Sequence, residues 1–169
     1  NITALDYSRD GTLVATSGCG ATYIWDALTG QIVNIFSAYP NCQDVLFSPD
    51  GNTLLVHYRD TGGNGASKVC LVDTETGSLI KDVSLGPDYS GVSALAFAPD
   101  GSKLVVCDFY CRMKVFDATG EKLQRIELLR NSLGIAFNSS GDHLILLSND
   151  GSNNELIHVN VNSGETTQT

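Results

Sequence analysis

Two short patterns, each recurring four times and in phase with the other, constrain this chain more than anything else in it. The first is a turn: Ser8-Arg9-Asp10-Gly11, Ser48-Pro49-Asp50-Gly51, Ala98-Pro99-Asp100-Gly101 and Asn138-Ser139-Ser140-Gly141, with glycines 40, 50 and 40 residues apart. The second is an apolar run entering a turn. It reads Ile24-Trp25-Asp26 to Gly30, Leu71-Val72-Asp73 to Gly77, Val115-Phe116-Asp117 to Gly120 and His158-Val159-Asn160 to Gly164, with glycines 47, 43 and 44 apart. A period of this length marks an array of like units, each burying its apolar face on a neighbour. The 169 residues then hold four units, approximately 1–37, 38–85, 86–129 and 130–169.

Between the anchors lie short runs rich in Val, Ile, Leu and Phe, bounded by Gly, Pro, Asp, Asn and Ser. That is the punctuation of strands. In unit three the pattern predicts strands over Val92–Ala98, Lys103–Asp108, Arg112–Asp117 and Lys122–Leu128. Each Asp-Gly pair closes the first hairpin, where glycine supplies a positive φ. Runs such as Leu104-Val105-Val106-Cys107 are apolar on both alternating faces, which predicts inner strands covered on both sides. Fourth strands mix Lys122, Gln124 and Glu127 with Leu123 and Ile126, as a half-wet outer strand does. The fold class expected is all-β: four consecutive four-stranded antiparallel blades of a β-propeller, with the outer strand of the fourth incomplete.

These residues resemble the WD40-repeat family of β-propellers. Trp25-Asp26 is the family's dipeptide, and Val72-Asp73 and Phe116-Asp117 are degenerate forms of it. With Gly11, Gly51, Gly101 and Gly141 they make up a structural repeat signature, in which Trp25 and Phe116 are expected to fill gaps between blades and the aspartates to pin turns. The Gly-His pair of the family is missing before each first strand, so its His–Asp–Ser/Thr–Trp hydrogen-bond network is incomplete in every unit. Part of the pattern is similar also to YVTN-type and lactonase-like propellers. The resemblance implies rings of seven or eight blades, so the four units are expected to belong to a longer propeller or to pair with a second copy. Asn1 is not a methionine, which leaves room for a leader or a larger N-terminal part.

Composition narrows the partners. Ten Lys and Arg against nineteen Asp and Glu give a net charge of −9, which repels nucleic acid and anionic membranes and favours a protein partner with a basic patch. The apolar runs are too short to cross a membrane as helices. Five scattered cysteines (Cys19, Cys42, Cys70, Cys107, Cys111) read as free thiols in a reducing compartment, the cytoplasm or the nucleus. Asn1-Ile2-Thr3 and Asn138-Ser139-Ser140 match the glycosylation pattern, a pattern short enough to recur by chance.

In a meander of this kind the first-to-second and third-to-fourth turns share one face, and the remaining connections share the other. Spans between the two anchors are 19, 26, 19 and 23 residues, so units two and four carry extra loop, around Asp60–Ser67 and Asn149–Asn154. Variable polar loops on a rigid face are where binding chemistry collects. The partner-binding candidates beside them are Tyr58, Arg59, Tyr89, Phe109, Tyr110, Arg112 and Arg130, aromatic and arginine side chains of the kind that anchor interfaces.

No residue set points to a cofactor, a metal or a catalytic centre. Gly62-Gly63-Asn64-Gly65 lacks the Lys-Ser/Thr and the helix of a phosphate cradle. Asn149–Asn153 lacks the terminal Glu of a calcium loop, and His57, His143 and His158 fall at unrelated positions for zinc. The function expected is a non-catalytic interaction scaffold, presenting variable loops within a larger protein or complex. The alternative is an enzyme or a small-ligand or metal-binding propeller of lactonase or quinoprotein type, for which Asp60, Asp108 and Asp150 occupy equivalent second-to-third-strand positions; set against it, the three aspartates are expected to satisfy local turn amides.

Overall fold

The computed structural model describes residues 2–18, 20–37, 41–60, 66–86, 91–110, 112–128, 132–149 and 154–168. Blade one comprises β1 (Ile2–Tyr7), β2 (Leu13–Gly18), β3 (Thr22–Asp26) and β4 (Ile32–Phe36). Blade two comprises β5 (Cys42–Phe47), β6 (Thr53–Arg59), β7 (Ser67–Asp73) and β8 (Leu79–Val83). Blade three holds β9 (Val92–Phe97), β10 (Lys103–Asp108), β11 (Arg112–Asp117) and β12 (Lys122–Glu127). Blade four holds β13 (Ser132–Phe137), β14 (His143–Asn149), β15 (Asn154–Asn160) and the three-residue β16 (Thr166–Gln168). Each blade is an antiparallel meander paired in chain order, and the described residues contain no helix. The four-blade all-β expectation therefore holds, down to the short last strand, and the unit-three strands agree with expectation to within a residue at each end.

The hairpins follow from turn chemistry. In blade one Asp10 Oδ1 accepts from Ser8 Oγ, Thr12 N and Thr12 Oγ1, and Gly11 closes the turn at φ 74°. Asp50 and Asp100 repeat this at the next two blades. After each third strand, Asp26, Asp73 and Asp117 accept turn N–H groups and a Thr hydroxyl in the same way. Hydrogen bonds from the turn hold the pKa values of Asp26 and Asp73 below the usual carboxylate range. One device invisible in the sequence also recurs: every first strand carries a bulge one residue after its start, at positions 3, 43, 93 and 133.

The chain divides into two compact units, residues 1–85 and 86–169. Within the first, the face of blade one bearing Ala15, Ile24 and Phe36 packs on the face of blade two bearing Val45, Phe47, Leu54, Val56, Tyr58, Cys70 and Val72. Within the second, Val105, Cys107, Met113, Val115 and Ile126 of blade three pack on Leu144, Leu146, Ile157 and Val159 of blade four. Fully burying one such side chain stabilises by about 1.5–3 kcal/mol, so these seams hold each pair together.

The two-sided cover expected of inner strands holds in blades two and three and not in blades one and four. β6 and β10 are buried on both faces, but β1 exposes Ile2, Leu5 and Tyr7. In β14, Leu144 and Leu146 are buried while Ile145 and Leu147 are exposed. A continuous apolar run makes two sticky faces; whether both are covered depends on neighbours the run itself does not specify. Trp25 is half-buried on the face of blade one turned away from blade two, its Nε1 donating to Thr16 Oγ1 at 2.8 Å.

Candidate functional site

In the second unit, Phe109 and Tyr110 form the turn between β10 and β11 and are 51% and 65% exposed. Two adjacent aromatics facing water in a tight turn need an anchor, and Asp108 provides it. Its fully buried carboxylate accepts Tyr110 N and Arg112 N on Oδ1, both at 2.9 Å. Oδ2 takes Arg112 Nε at 2.6 Å and Nη2 at 2.5 Å, a charge-assisted pair in which two guanidinium donors share one oxygen. The Arg112 guanidinium lies 5.6 Å from the centre of the Tyr110 ring. One carboxylate therefore fixes the turn's backbone and, through Arg112, steadies the ring above it. Sequence reasoning placed Phe109, Tyr110 and Arg112 and had Asp108 satisfying local turn amides, as it does, but it missed the pairing of Asp108 with Arg112. The available signal was the Asp-x-x-x-Arg spacing across the turn.

In the first unit, the base of the long loop is closed by Asp60 N donating to Ala66 O and by Lys68 Nζ on Asp60 Oδ2 at 2.6 Å. Arg59 is exposed beside it. Tyr58 must be withdrawn from the partner-binding candidates: it is buried in the seam, its hydroxyl donating to Asp82 Oδ1. The cause is register. Tyr58 sits opposite Cys42 on the face of β6 turned to blade one, whereas Arg59 comes after it on the other face. Tyr89, Arg130, Asp150, Cys19, Cys111 and the loop segments 61–65 and 150–153 lie outside the described residues.

For metal or acid–base chemistry the described residues offer little convergence. They contain no group of three or more His, Cys, Asp and Glu side chains placed to hold a metal. Asp108 is committed to Arg112 and the turn amides, and Asp60 to Lys68. His57 is buried with Nε2 at 3.3 Å from Ser67 Oγ; burial, aided by the Arg59 charge, lowers its pKa to about 4. His143 Nδ1 lies 3.0 Å from Asp142 Oδ1 near the surface. A groove of about 320 Å³ in the first unit is lined by Ser8, Asp10, Val33, Asp50 and Glu75 among others, but Asp10 and Asp50 are already engaged in their turns. Cys42, Cys70 and Cys107 are buried free thiols, and burial pushes the Cys70 thiol well up, with Asp82 and Cys42 adding to the effect.

Repeated four-stranded meanders, paired face to face within each unit and carrying their exposed side chains on turns, define a protein of the propeller class. The model of the family described as WD domain, G-beta repeat matches residues 1–26 and 77–117, two stretches that each end on the repeat dipeptide. Among solved structures, hydrazine synthase from Kuenenia stuttgartiensis is similar, with a TM-score of 0.79 and 19% sequence identity over 99% of this chain and 49% of that one. The chain thus spans about half the length of that structure, and at this identity the likeness shows the fold alone. No curated protein matches the chain. No helix among the described residues is long and apolar enough to cross a membrane.

Proposed function

We propose that the chain is a non-catalytic interaction platform and that the Phe109–Tyr110 turn, backed by Arg112, is a contact a protein partner grips. The observation that carries this reading is the exposure of two neighbouring aromatic rings on a turn whose backbone is tied to a buried carboxylate. Exposed aromatics held rigid bury large areas against a partner with little ordering cost. The acid–base balance of −9 favours a partner with a basic patch, whose association slows as salt is added. Arg59 is a second contact candidate, on the first unit. The setting we infer is a ring of seven or eight blades in a reducing compartment such as the cytoplasm, in keeping with the three buried free thiols.

The test is site-specific photocrosslinking from position 110, compared with position 28, a highly exposed leucine in a third-to-fourth-strand turn. A protein captured from 110 and not from 28 is then purified, and its affinity measured against the Phe109→Ala, Tyr110→Ala double variant. A tenfold or larger loss, with unchanged thermal stability, is the expected result. Equal capture from both positions, or unchanged affinity, defeats the reading.

A further inference from the structure

The groove in the first unit lies between the turn joining β1 to β2 and two turns of blade two, those joining β5 to β6 and β7 to β8. Leu13 and Val33 make its apolar wall. Val33 is the extra residue of a bulge in β4, which takes its side chain out of the strand's alternation. Around that wall stand the carboxylates of Asp10, Asp50 and Glu75, with no Lys or Arg among the described lining residues.

The turns fix two of these carboxylates without neutralising them. Hydrogen bonds from Thr12 and Ser8 hold the Asp10 carboxyl below the usual range, and bonds from Ser48 and Asn52 do the same for Asp50. Asp10 takes its turn bonds on Oδ1 alone, and the Glu75 carboxylate takes none among the described residues. Both side chains are exposed. Acceptor oxygens therefore remain at the mouth of the groove.

This charge is not a by-product of the repeat. At the same positions the second unit holds Lys103 for Leu13, Ser140 for Asp50 and Asn162 for Glu75. Asp100, the counterpart of Asp10, has its pKa lowered by Ser102 and also by Lys103, so a cation of the chain already stands near it. The first unit instead sets three negative charges beside hydrocarbon and supplies none of its own cations to them. A Lys or Arg side chain matches both parts, since its alkyl stem lies along apolar surface while its charged head stays with the carboxylates. At about 320 Å³ the groove is near the lower end of ligand sites, room for a side chain and not for a folded element.

We propose that this groove receives a lysine or arginine side chain from a basic segment of a protein partner, with the stem on Leu13 and Val33 and the charge among Asp10, Asp50 and Glu75. It uses no residue of the Phe109–Tyr110 turn, so either reading can fail while the other stands.

The probes are the peptide acetyl-Gly-Gly-Arg-Gly-Gly-amide and its Lys, citrulline and norleucine forms, titrated at low salt into the isotope-labelled chain and followed by two-dimensional NMR. The Arg and Lys forms are expected to shift the amides of Thr12, Asn52 and Glu75 saturably and to bind about tenfold tighter than the two uncharged forms. Glu75→Gln, at an exposed side chain that carries no turn bond, weakens the Arg form by about threefold. Adding Asp10→Asn, which keeps an oxygen for the turn, weakens it further, with circular dichroism as the control for folding. Shifts that fail to saturate, or that are as large with citrulline, overturn the proposal. Equal shifts at Ser102, Asp142 and Asn162 of the second unit overturn it too, because attraction then follows net charge alone. Binding indifferent to Glu75→Gln defeats it, as does binding lost in the Phe109→Ala, Tyr110→Ala double variant, which places the basic side chain at the turn instead.

Discussion

The seam between blades one and two and the seam between blades three and four share a backbone geometry but not a chemistry. In the first, polar groups cross between the blades: Thr3 Oγ1 donates to Cys42 O at 2.7 Å, and Phe47 N donates to Asp6 Oδ2 at 2.7 Å. Thr22 Oγ1 lies 3.4 Å from Cys42 Sγ. At the same register positions blade three has Ser93, Ala96 and Met113, and its seam is closed by aliphatic side chains with Met113 and Cys107. One device is common to both. Asn34 Nδ2 of β4 donates to Thr74 O and Glu75 O, and Gln124 Nε2 of β12 donates to Val161 O, the carbonyl equivalent to that of Thr74. The comparison teaches that a repeated fold conserves where neighbouring blades are stapled while leaving open whether hydrocarbon or hydrogen bonds fill the space between staples.

The largest expected effect comes from hollowing the apolar seam. Leu144→Ala removes a fully buried side chain from the second unit and costs about 2–5 kcal/mol, read from chemical denaturation with Cys107 labelling as the local probe. The staple breaks next. A Cβ at Gly77 would stand 2.8 Å from Asn34 Oδ1, on a backbone at φ 67°, so Gly77→Ala costs about 1–3 kcal/mol and exposes Cys42 and Cys70 to labelling before Cys107.

Acid then separates the units. His57 has its pKa lowered to about 4, and its register counterpart in blade three is Cys107, which does not titrate in acid. The unfolded chain takes up this proton near pH 6.5 and the folded one only near 4, so stability is full above 6.5 and falls as pH drops towards 4. Between pH 7 and pH 5 the loss is about 2 kcal/mol for His57 alone. Asp44, whose carboxyl is raised by burial, works in the opposite sense, and the turn aspartates titrate lower still. The fluorescence of Trp25, the single tryptophan, reports the first unit; a midpoint unchanged from pH 7 to 5, or acid sensitivity retained in His57→Leu, counts against this assignment. The smallest effect is a pair of opposite sign. Thr3→Val loses about 1 kcal/mol with its bond across the seam, whereas Ser93→Ala is neutral or stabilising, because the Ser93 hydroxyl is buried without a partner among the described residues.

Much of this was legible from residues in order, and the reasons are local. A turn such as Ser48-Pro49-Asp50-Gly51 needs only its own side chains and a positive φ to form, so its recurrence announced the hairpins and the number of sheets. The exposed Phe109–Tyr110 pair was legible for a similar reason, since two consecutive side chains in a three-residue connection cannot both turn inward. Tyr58 was not: an aromatic beside a long loop looks available until the pairing with Cys42 turns it to the seam. The buried role of Asp108 depended in the same way on which face of β10 the last residue takes.

By itself the sequence determined strand, turn and period, because hydrogen bonding within a hairpin and the conformational freedom of glycine act over a few residues. Only the tertiary structure decided which faces are seated within each unit, that Asn34 and Gln124 staple one blade to the next, and that Tyr58 belongs to the seam. Those outcomes turn on side-chain parity along a strand, where a bulge of one residue changes the side a group faces, and on the presence of a neighbour dozens of residues away.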